Sequence, residues 1–361
     1  MRATMNALEL ASALVAIDSV NPDLVPGAAG EREIAAYVAE WARAAGLTAG
    51  VVGDARPSVI VRARGTGGGR TLLLCGHLDT VGVAGMDDPW APRVEGDRLY
   101  GRGAYDMKAG LAACLVAGRE AAALGLRGDV VIAAVADEEH ASVGVQAVLE
   151  QLSADAAIVT EPTAMQAVVA HKGFVWTMIE VRGRAAHGSR PDLGHDAIVA
   201  TAPVLTRLGE LDAALAAREP HPLLGRGSVH ASLIEGGEEL STYPSRCVLS
   251  LERRTLPGET GDDVAGLIEG VDATARTVLV REPFAVDPEA EIVRLVRAAS
   301  GAELAGAAFW TDASFIAAAG IPTVLIGPGG DGAHAEEEWV SIADTERLTR
   351  VLVDVARDFC A

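Results

Sequence analysis

The sequence predicts an α/β protein, a mostly parallel sheet flanked by helices, interrupted by an inserted α+β domain. Short apolar runs alternate with longer helical patterns over most of the chain, the pattern left when helices cover both faces of a sheet. At 361 residues the chain exceeds the comfortable size of one hydrophobic core, so two domains are expected. From residue 174 the pattern changes to strand-like alternation, which marks the insert.

Taken in order, strands are expected at 58–62, 71–75, 129–136, 156–160 and 323–326, where runs of Val, Ile, Leu and Ala are too short for helices. Helices are expected at 5–17, 31–45, 107–124, 143–152, 288–299, 314–319 and 344–359. GTGGGR at 65–70 reads as a turn between two strands, because the helix that phosphate binding needs does not follow it. Within the insert, strands are expected at 174–181, 228–234, 246–253 and 275–280, with helices at 197–215 and near 262–271. Residues 1–173 and 281–361 then form one domain, and 174–280 the inserted one.

Composition limits the functional classes. Half of the residues are hydrophobic and the mean hydropathy is +0.24, so the chain has ample material for a core. Aromatics are only 4%, which leaves most of the packing to Ala, Val and Leu. A formal charge of −20 argues against nucleic acid or an anionic membrane as a partner. Cys75, Cys114, Cys247 and Cys360 form no CxxC pair and no disulfide framework, so a reducing cytoplasm is expected. Residues 7–20 carry Glu9 and Asp18 without a basic leader, which reads as a helix rather than a signal peptide. No apolar run has the length of a membrane span.

Chemistry-bearing groups follow the expected strands, where an open α/β sheet forms its binding crevice. GHLDT at 76–80, DEE at 137–139, EP at 161–162 and DGAH at 331–334 supply His77, Glu139, Glu161 and His334. Asp106 arrives at the start of the helix after GRGAY, and Asp79 and Glu138 stand beside the set. Taken singly, Asp106 reads as a helix N-cap, Glu138 and Glu139 as a solvated loop, and His334 as an ordinary surface or core histidine. Together, two imidazoles and three carboxylates suit a pair of divalent ions, since one carboxylate can bridge while each ion keeps an open position. Zinc fits this donor set best, and cobalt or manganese is accepted. Neither a GxSxG elbow nor a cysteine in a catalytic context is present, so the pattern is that of a metal-dependent hydrolase.

These residues, with SVNP at 19–22, GHLDTV at 76–81, GRGAYDMKAG at 101–110, EPT at 161–163, AAHGSRP at 185–191, ERRTLPGE at 252–259, TDASF at 311–315 and GPGGDGAHAEEEWV at 327–340, resemble the M20 family of metallopeptidases. That family includes acetylornithine deacetylases, succinyl-diaminopimelate desuccinylases, aminoacylases and glutamate carboxypeptidases. The resemblance is greatest to the deacetylase and desuccinylase branch. It implies a zinc-exopeptidase-like catalytic domain, with the insert acting as lid and dimerisation domain.

The resemblance also implies roles. His77 and Glu161 would hold one ion, Glu139 and His334 the other, and Asp106 would bridge them. Asp79 would steady the His77 imidazole, and Glu138 would be the general base that takes a proton from water and returns it to the leaving nitrogen. His187, in the insert, would reach the partner subunit's site and steady the oxyanion, which implies a homodimer; its alternative is a turn histidine with a structural role. Arg254 would pair with a substrate carboxylate. Thr311 and Gly329 would line the substrate pocket, by a hydroxyl hydrogen bond and by close backbone approach, or else serve as a helix cap and a loop.

The expected activity is hydrolysis of an N-acyl amino acid or a related small N-acyl compound. A carboxypeptidase, dipeptidase or aminoacylase would share every metal residue. A non-catalytic, metal-stabilised binding protein would leave Glu138 and Asp79 without a purpose.

Overall fold

The computed structural model describes residues 4–361 and divides into two compact units. The first comprises Met1–Val169, Val286–Ala305 and Thr311–Ala361, and the second Ala170–Ala285 with Gly306–Trp310. Against the expected 174–280, the second unit begins earlier, ends later and takes in 306–310. His171 pairs with Phe284, and the Lys172 N–H donates to the Ala307 carbonyl, so these flanking pieces go together.

In the first unit a mixed sheet runs in the order Thr48–Val52, Ser58–Ala63, Val130–Val135, Leu72–His77, Ala156–Val159, Thr323–Leu325, Ala167–His171. The middle four strands are mutually parallel, and antiparallel strands flank them. Both faces are buried, which is why these strands read as unbroken apolar runs. Leu72, Leu74, Val130, Ile132, Ala156 and Ile158 join one core with the helices Ala7–Val15, Arg32–Ala44, Ala109–Ala122, Glu291–Ser300 and Ile342–Phe359. Leu73, Cys75, Val131, Ala157 and Val159 are also buried but point the other way. There the short helices Val143–Leu149 and Ala313–Ala318 pack on the sheet. Each fully buried Leu or Val contributes about 1.5–3 kcal/mol.

Local chemistry sets the helix ends. Asn6 and Glu9 form a reciprocal capping box that starts the first helix at Ala7 rather than residue 5. Ser341 caps the last helix, so it begins two residues before the expected 344. The expected 107–124 helix is two pieces, a wide one-turn segment Ala104–Lys108 and the regular helix Ala109–Ala122.

GTGGGR joins two strands that are not neighbours, because Val130–Val135 lies between them. The loop crosses the entry to that strand, with Thr66 N–H donating to the Leu126 carbonyl at 2.8 Å and Gly67 N–H to that of Arg127 at 2.9 Å. A Cβ on Gly128 would lie 1.7 Å from the Arg70 carbonyl oxygen, so the crossing requires glycine there. A small sheet that the sequence pattern does not announce joins Gly330–Asp331, Trp339–Ser341, Arg98–Tyr100 and Arg93–Glu95, in that order.

The second unit is a four-stranded antiparallel sheet, ordered Ser228–Gly236, Arg246–Thr255, Gly173–Arg182, Ala273–Arg281. The expected 197–215 helix breaks at Thr201 into Ala197–Ala200 and Ala202–Ala216, and 262–268 is a 3-10 helix. One sheet face packs on these helices through Ile179, Val181, Leu249, Leu251, Val204 and Leu267. Arg253 points into the same side, buried, and bonds Asp263 and Glu259. No helix among the described residues is long and apolar enough to cross a membrane.

Two glycines give opposite expectations. Gly128→Ala would collide with backbone that cannot yield, lowering stability by about 3 kcal/mol. Gly209→Ala, in an open position of Ala202–Ala216, should gain about 1 kcal/mol. Urea unfolding of the two variants beside wild type checks both signs.

Candidate metal centre

His77 closes the strand Leu72–His77 and is delivered at the sheet's carboxyl end. Its Nδ1 lies 2.9 Å from the Asp79 carbonyl oxygen, which fixes a ring proton there and turns Nε2 toward the other carboxylates. The sequence suggests that the Asp79 carboxylate steadies this ring; in the structure the main chain of Asp79 does so. The carboxylate, with Oδ1 3.7 Å from Nδ1, accepts instead from the Glu138 and Glu139 N–H groups at 3.1 and 3.2 Å and from Asn21 Nδ2 at 2.8 Å. Asp79 therefore fixes the turn that carries Glu138 and Glu139.

Asn21 belongs to the SVNP segment. Its N–H donates to the Thr80 carbonyl, and its side chain also reaches Asp137 at 3.0 Å. Asp137 in turn pairs at 2.8 Å with Arg56, which grips the buried Glu31. A continuous buried chain of polar groups thus backs the site, and every bond in it links residues far apart in sequence.

Asp106 sits in the Ala104–Lys108 segment, with φ −117° and ψ 93°, and does not cap the helix that follows. Its Oδ1 is 3.0 Å from His77 Nε2 and its Oδ2 3.3 Å from His334 Nε2. Glu161, just past Ala156–Val159, brings Oε1 to 4.0 Å from His77 Nε2, and Glu139 Oε2 lies 3.2 Å from His334 Nε2. His77 and Glu161 therefore stand on one side of Asp106, His334 and Glu139 on the other. Ligand-type atoms of Glu138, His77 and Glu161 lie within 4.8 Å of one another, as do those of His77, Asp106 and Glu139.

His334 does not come straight off a central strand. It lies in the turn between Gly330–Asp331 and Trp339–Ser341, with φ 63°. Glu338 holds that turn against the Asp106 segment: Oε1 accepts from the Tyr105 and Asp106 N–H groups at 2.8 and 3.0 Å, Oε2 from Gly103 N–H at 3.0 Å and Arg102 Nη1 at 2.7 Å. Arg102 Nη2 donates to the Ala335 carbonyl, beside His334. Sequence reasoning did not single out Glu338 or Arg102. Both lie inside motifs that were noted, GRGAYDMKAG and GAHAEEEWV, but their pairing spans 236 positions.

Thr311 is fully buried, and its hydroxyl accepts from the Ala313 N–H, which gives it to the end of the helix Ala313–Ala318 rather than to a substrate. Gly329 donates its N–H to Asp344 at 3.0 Å, and a Cβ there would meet that carboxylate at 2.8 Å.

His187 and Arg254 lie in the second unit. His187 is exposed, and its Nδ1 accepts from the Ser189 N–H at 3.2 Å, which puts the ring proton on Nε2 and presents an N–H donor. Arg254 lies on the sheet face away from the helices, Nε bonded to Glu252 at 2.7 Å and guanidinium 5.0 Å over the Phe174 ring.

The first-unit cluster is short of positive charge. Burial, then Glu161, pushes Glu138 well above the carboxylate range; burial, then Asp106, raises Glu139. Burial also lifts Glu161 well above that range despite the nearby His77. Burial works against the charge of Asp106, yet the bonds from His334 and His77 outweigh it and lower its pKa. Burial likewise opposes protonation of His77, but its bond to Asp106 and the surrounding carboxylates raise it well above the ordinary value. His334 is pushed up to about 10 by its bonds to Asp106 and Glu139. Glu139 Oε1 is buried without a hydrogen-bond partner among the described residues. Excess carboxylate, an orphaned buried oxygen and two imidazole nitrogens turned to the same carboxylate are a donor set that fits divalent cations.

Known proteins share this architecture and sequence. Residues 73–358 match the profile of peptidase family M20/M25/M40. Acetylornithine deacetylase of Klebsiella pneumoniae (strain 342) is 29% identical over 98% of this chain and 97% of its own. That of Erwinia tasmaniensis is 31% identical over 89% of both. Among solved structures, aminopeptidase PepT from Bacillus cereus superposes with a TM-score of 0.80 at 19% identity, covering 99% of this chain and 98% of its own. Bacillus subtilis YXEP, described as a dinuclear metal binding peptidase from the M20 family, does so with 0.75 at 14% identity, covering 98% and 97%. The protein belongs to peptidase family M20/M25/M40 and is a hydrolase of amide bonds.

Proposed function

We propose that the protein removes the acyl group from N-acyl amino acids or related small N-acyl compounds. Its two divalent cations would be Zn(II), with Co(II) or Mn(II) accepted, and it would act as a cytoplasmic homodimer. The observation that carries this reading is the arrangement about Asp106, with His77 and Glu161 to one side, His334 and Glu139 to the other, and Glu138 adjoining but paired with neither imidazole at hydrogen-bond distance. The deacetylase relatives at about 30% identity support acyl removal. The four free, buried cysteines support a reducing compartment. A second reading, dipeptidase, carboxypeptidase or aminoacylase, is favoured by the peptidases among the structural neighbours.

In this reading His77 and Glu161 would hold one cation, His334 and Glu139 the other, and Asp106 would be shared between them. When bound, the cations supply Lewis acidity that polarises an amide carbonyl and makes water a better nucleophile at neutral pH. Glu138 takes a proton on its carboxylate from the attacking water and delivers it to the leaving nitrogen. Asp79, through the Glu138 and Glu139 N–H groups, fixes where that carboxylate stands. His187 offers its Nε2–H to the developing oxyanion of the partner subunit's substrate, and Arg254 receives the substrate carboxylate.

Chelation should abolish hydrolysis of an N-acetyl amino acid panel, and Zn(II), Co(II) or Mn(II) should restore it; full activity in rigorously metal-free protein would refute the reading. Glu138→Gln should lower kcat by about 10³-fold while elemental analysis still finds the wild-type metal content, whereas near-normal turnover removes Glu138 as the base. Mixing His187→Ala with Glu161→Ala protein should regain part of the activity in mixed dimers, the two inactive partners together completing one site. Absence of recovery in verified heterodimers would assign His187 to its own turn.

A further inference from the structure

The outward face of the second unit's sheet gathers aromatic rings around Arg254. The chain has only five Trp, four Tyr and five Phe, yet Phe174, Trp176 and Trp310 meet here, with ring centroids 5.2 Å apart for Phe174 and Trp176 and 6.5 Å for Phe174 and Trp310. Sheet register explains the gathering. Phe174 pairs with Arg254 on one neighbouring strand and Arg281 on the other, and Trp176 pairs with Glu252. Register partners share a face, so guanidinium and ring line up across the strands.

Of the polar groups in this row, Glu252 is engaged at both oxygens and Arg254 keeps one edge open. Glu252 accepts from Arg254 Nε at 2.7 Å and from Trp176 Nε1 at 2.9 Å, so both of its oxygens are used. Arg254 lies over the Phe174 ring with its side chain 32% exposed, and its two Nη groups bond to nothing among the described residues. That is the fork-shaped edge that takes a carboxylate through two parallel hydrogen bonds. Beside it, from Trp176 and Glu252 past Met178, Leu233 and Val278, runs a groove of about 320 Å³. Trp176 and Leu233 are 42% and 61% exposed in it. Glu252 is the sole acid of the groove lining, and it is already neutralised. Lys172, on the same sheet end, adds positive charge near Arg254.

We infer that this row is the specificity site for the residue that bears the substrate's free carboxylate, and that it takes an aromatic or large apolar side chain rather than a cationic one. Arg254 binds the carboxylate, and the Trp176 groove receives the side chain through apolar contact. An ammonium-bearing side chain, such as that of ornithine, would find no free carboxylate there and would face Arg254. This inference rests on the role of Arg254 in the proposed function.

The test is a comparison of kcat/KM on metal-loaded enzyme for N-acetyl-L-phenylalanine, N-acetyl-L-leucine, N-acetyl-L-alanine and N-acetyl-L-ornithine, and on glycyl-phenylalanine and glycyl-lysine. The phenylalanine compound should exceed the ornithine compound by about tenfold or more, the discrimination an apolar pocket supplies. Trp176→Ala should shrink the phenylalanine-to-alanine ratio severalfold, mainly through KM, and Trp176→Phe should restore most of it. Preference for N-acetylornithine, or a ratio unmoved by Trp176→Ala, overturns the inference and leaves the deacylase reading standing. Turnover of dipeptides alone overturns the deacylase reading, while glycyl-phenylalanine over glycyl-lysine, with the same Trp176 response, still upholds the inference. If no compound of either series is hydrolysed, both fall.

Discussion

The Glu338 carboxylate is the constraint on which the first unit's chemistry depends. It is buried and accepts four hydrogen bonds, three from the main chain at Gly103, Tyr105 and Asp106 and one from Arg102. Neither segment it joins is regular enough to hold its own shape: one is a single wide helical turn, the other a loop between two short strands. Because a buried carboxylate left without donors is costly, the four bonds act as an all-or-none clasp. The clasp brings Asp106 and His334 together, and with them the two halves of the candidate metal centre.

On the other side of the site Asp79 does the same work for Glu138 and Glu139, and Asn21 and Arg56 spread its charge into a longer network. Both clasps hold main chain rather than the reactive side chains themselves. This matters electrostatically. Glu138, Glu139 and Glu161 lie buried beside one another and beside the charged Asp106, so without cations these three gain by moving apart or taking up protons. Main-chain clasps resist the first response and leave each carboxylate aimed where a cation satisfies it. Fixed backbone under mutually repelling side chains keeps the site competent for cations in their absence.

The central sheet was legible because burial on both faces writes itself as short apolar runs, and the candidate ligand positions stood out because strands such as Leu72–His77 and Ala156–Val159 end where those runs end. Short elements left no such mark. Arg93–Glu95 and Arg98–Tyr100 alternate too briefly to show a period, and Gly330–Asp331 is only two residues long, so the sheet that presents His334 was not foreseen. Partners distant in sequence were equally silent. Nothing at Glu338 announces Arg102, and the reassignment of the His77 contact from the Asp79 side chain to its carbonyl depends on a turn geometry that spacing alone does not encode. Thr311 stands open between a helix cap and a ligand contact in the sequence, because a hydroxyl beside a helix start suits both; in the structure it is fully buried and accepts from the Ala313 N–H.

The two units encode their chemistry differently, and this bears on how substrate choice can vary while bond cleavage is kept. In the first unit the main chain that carries Asp106, Glu138 and Glu139 is held by side chains from other parts of the sequence, so a change at Asn21, Asp79 or Glu338 disturbs several groups at once. In the second, residues alternate along one strand: Leu251, Arg253 and Thr255 are buried on the helix side, while Glu252 and Arg254 face outward. Strand period separates the two sets, so an outward residue can be exchanged without opening the core beneath it. Phe174 and Trp176 occupy the same outward positions on the neighbouring strand, alternating with buried Val175 and Thr177. Aromatic content at that row is therefore free to differ among proteins with the same fold and the same metal centre, and similarity across the whole chain carries little information about it.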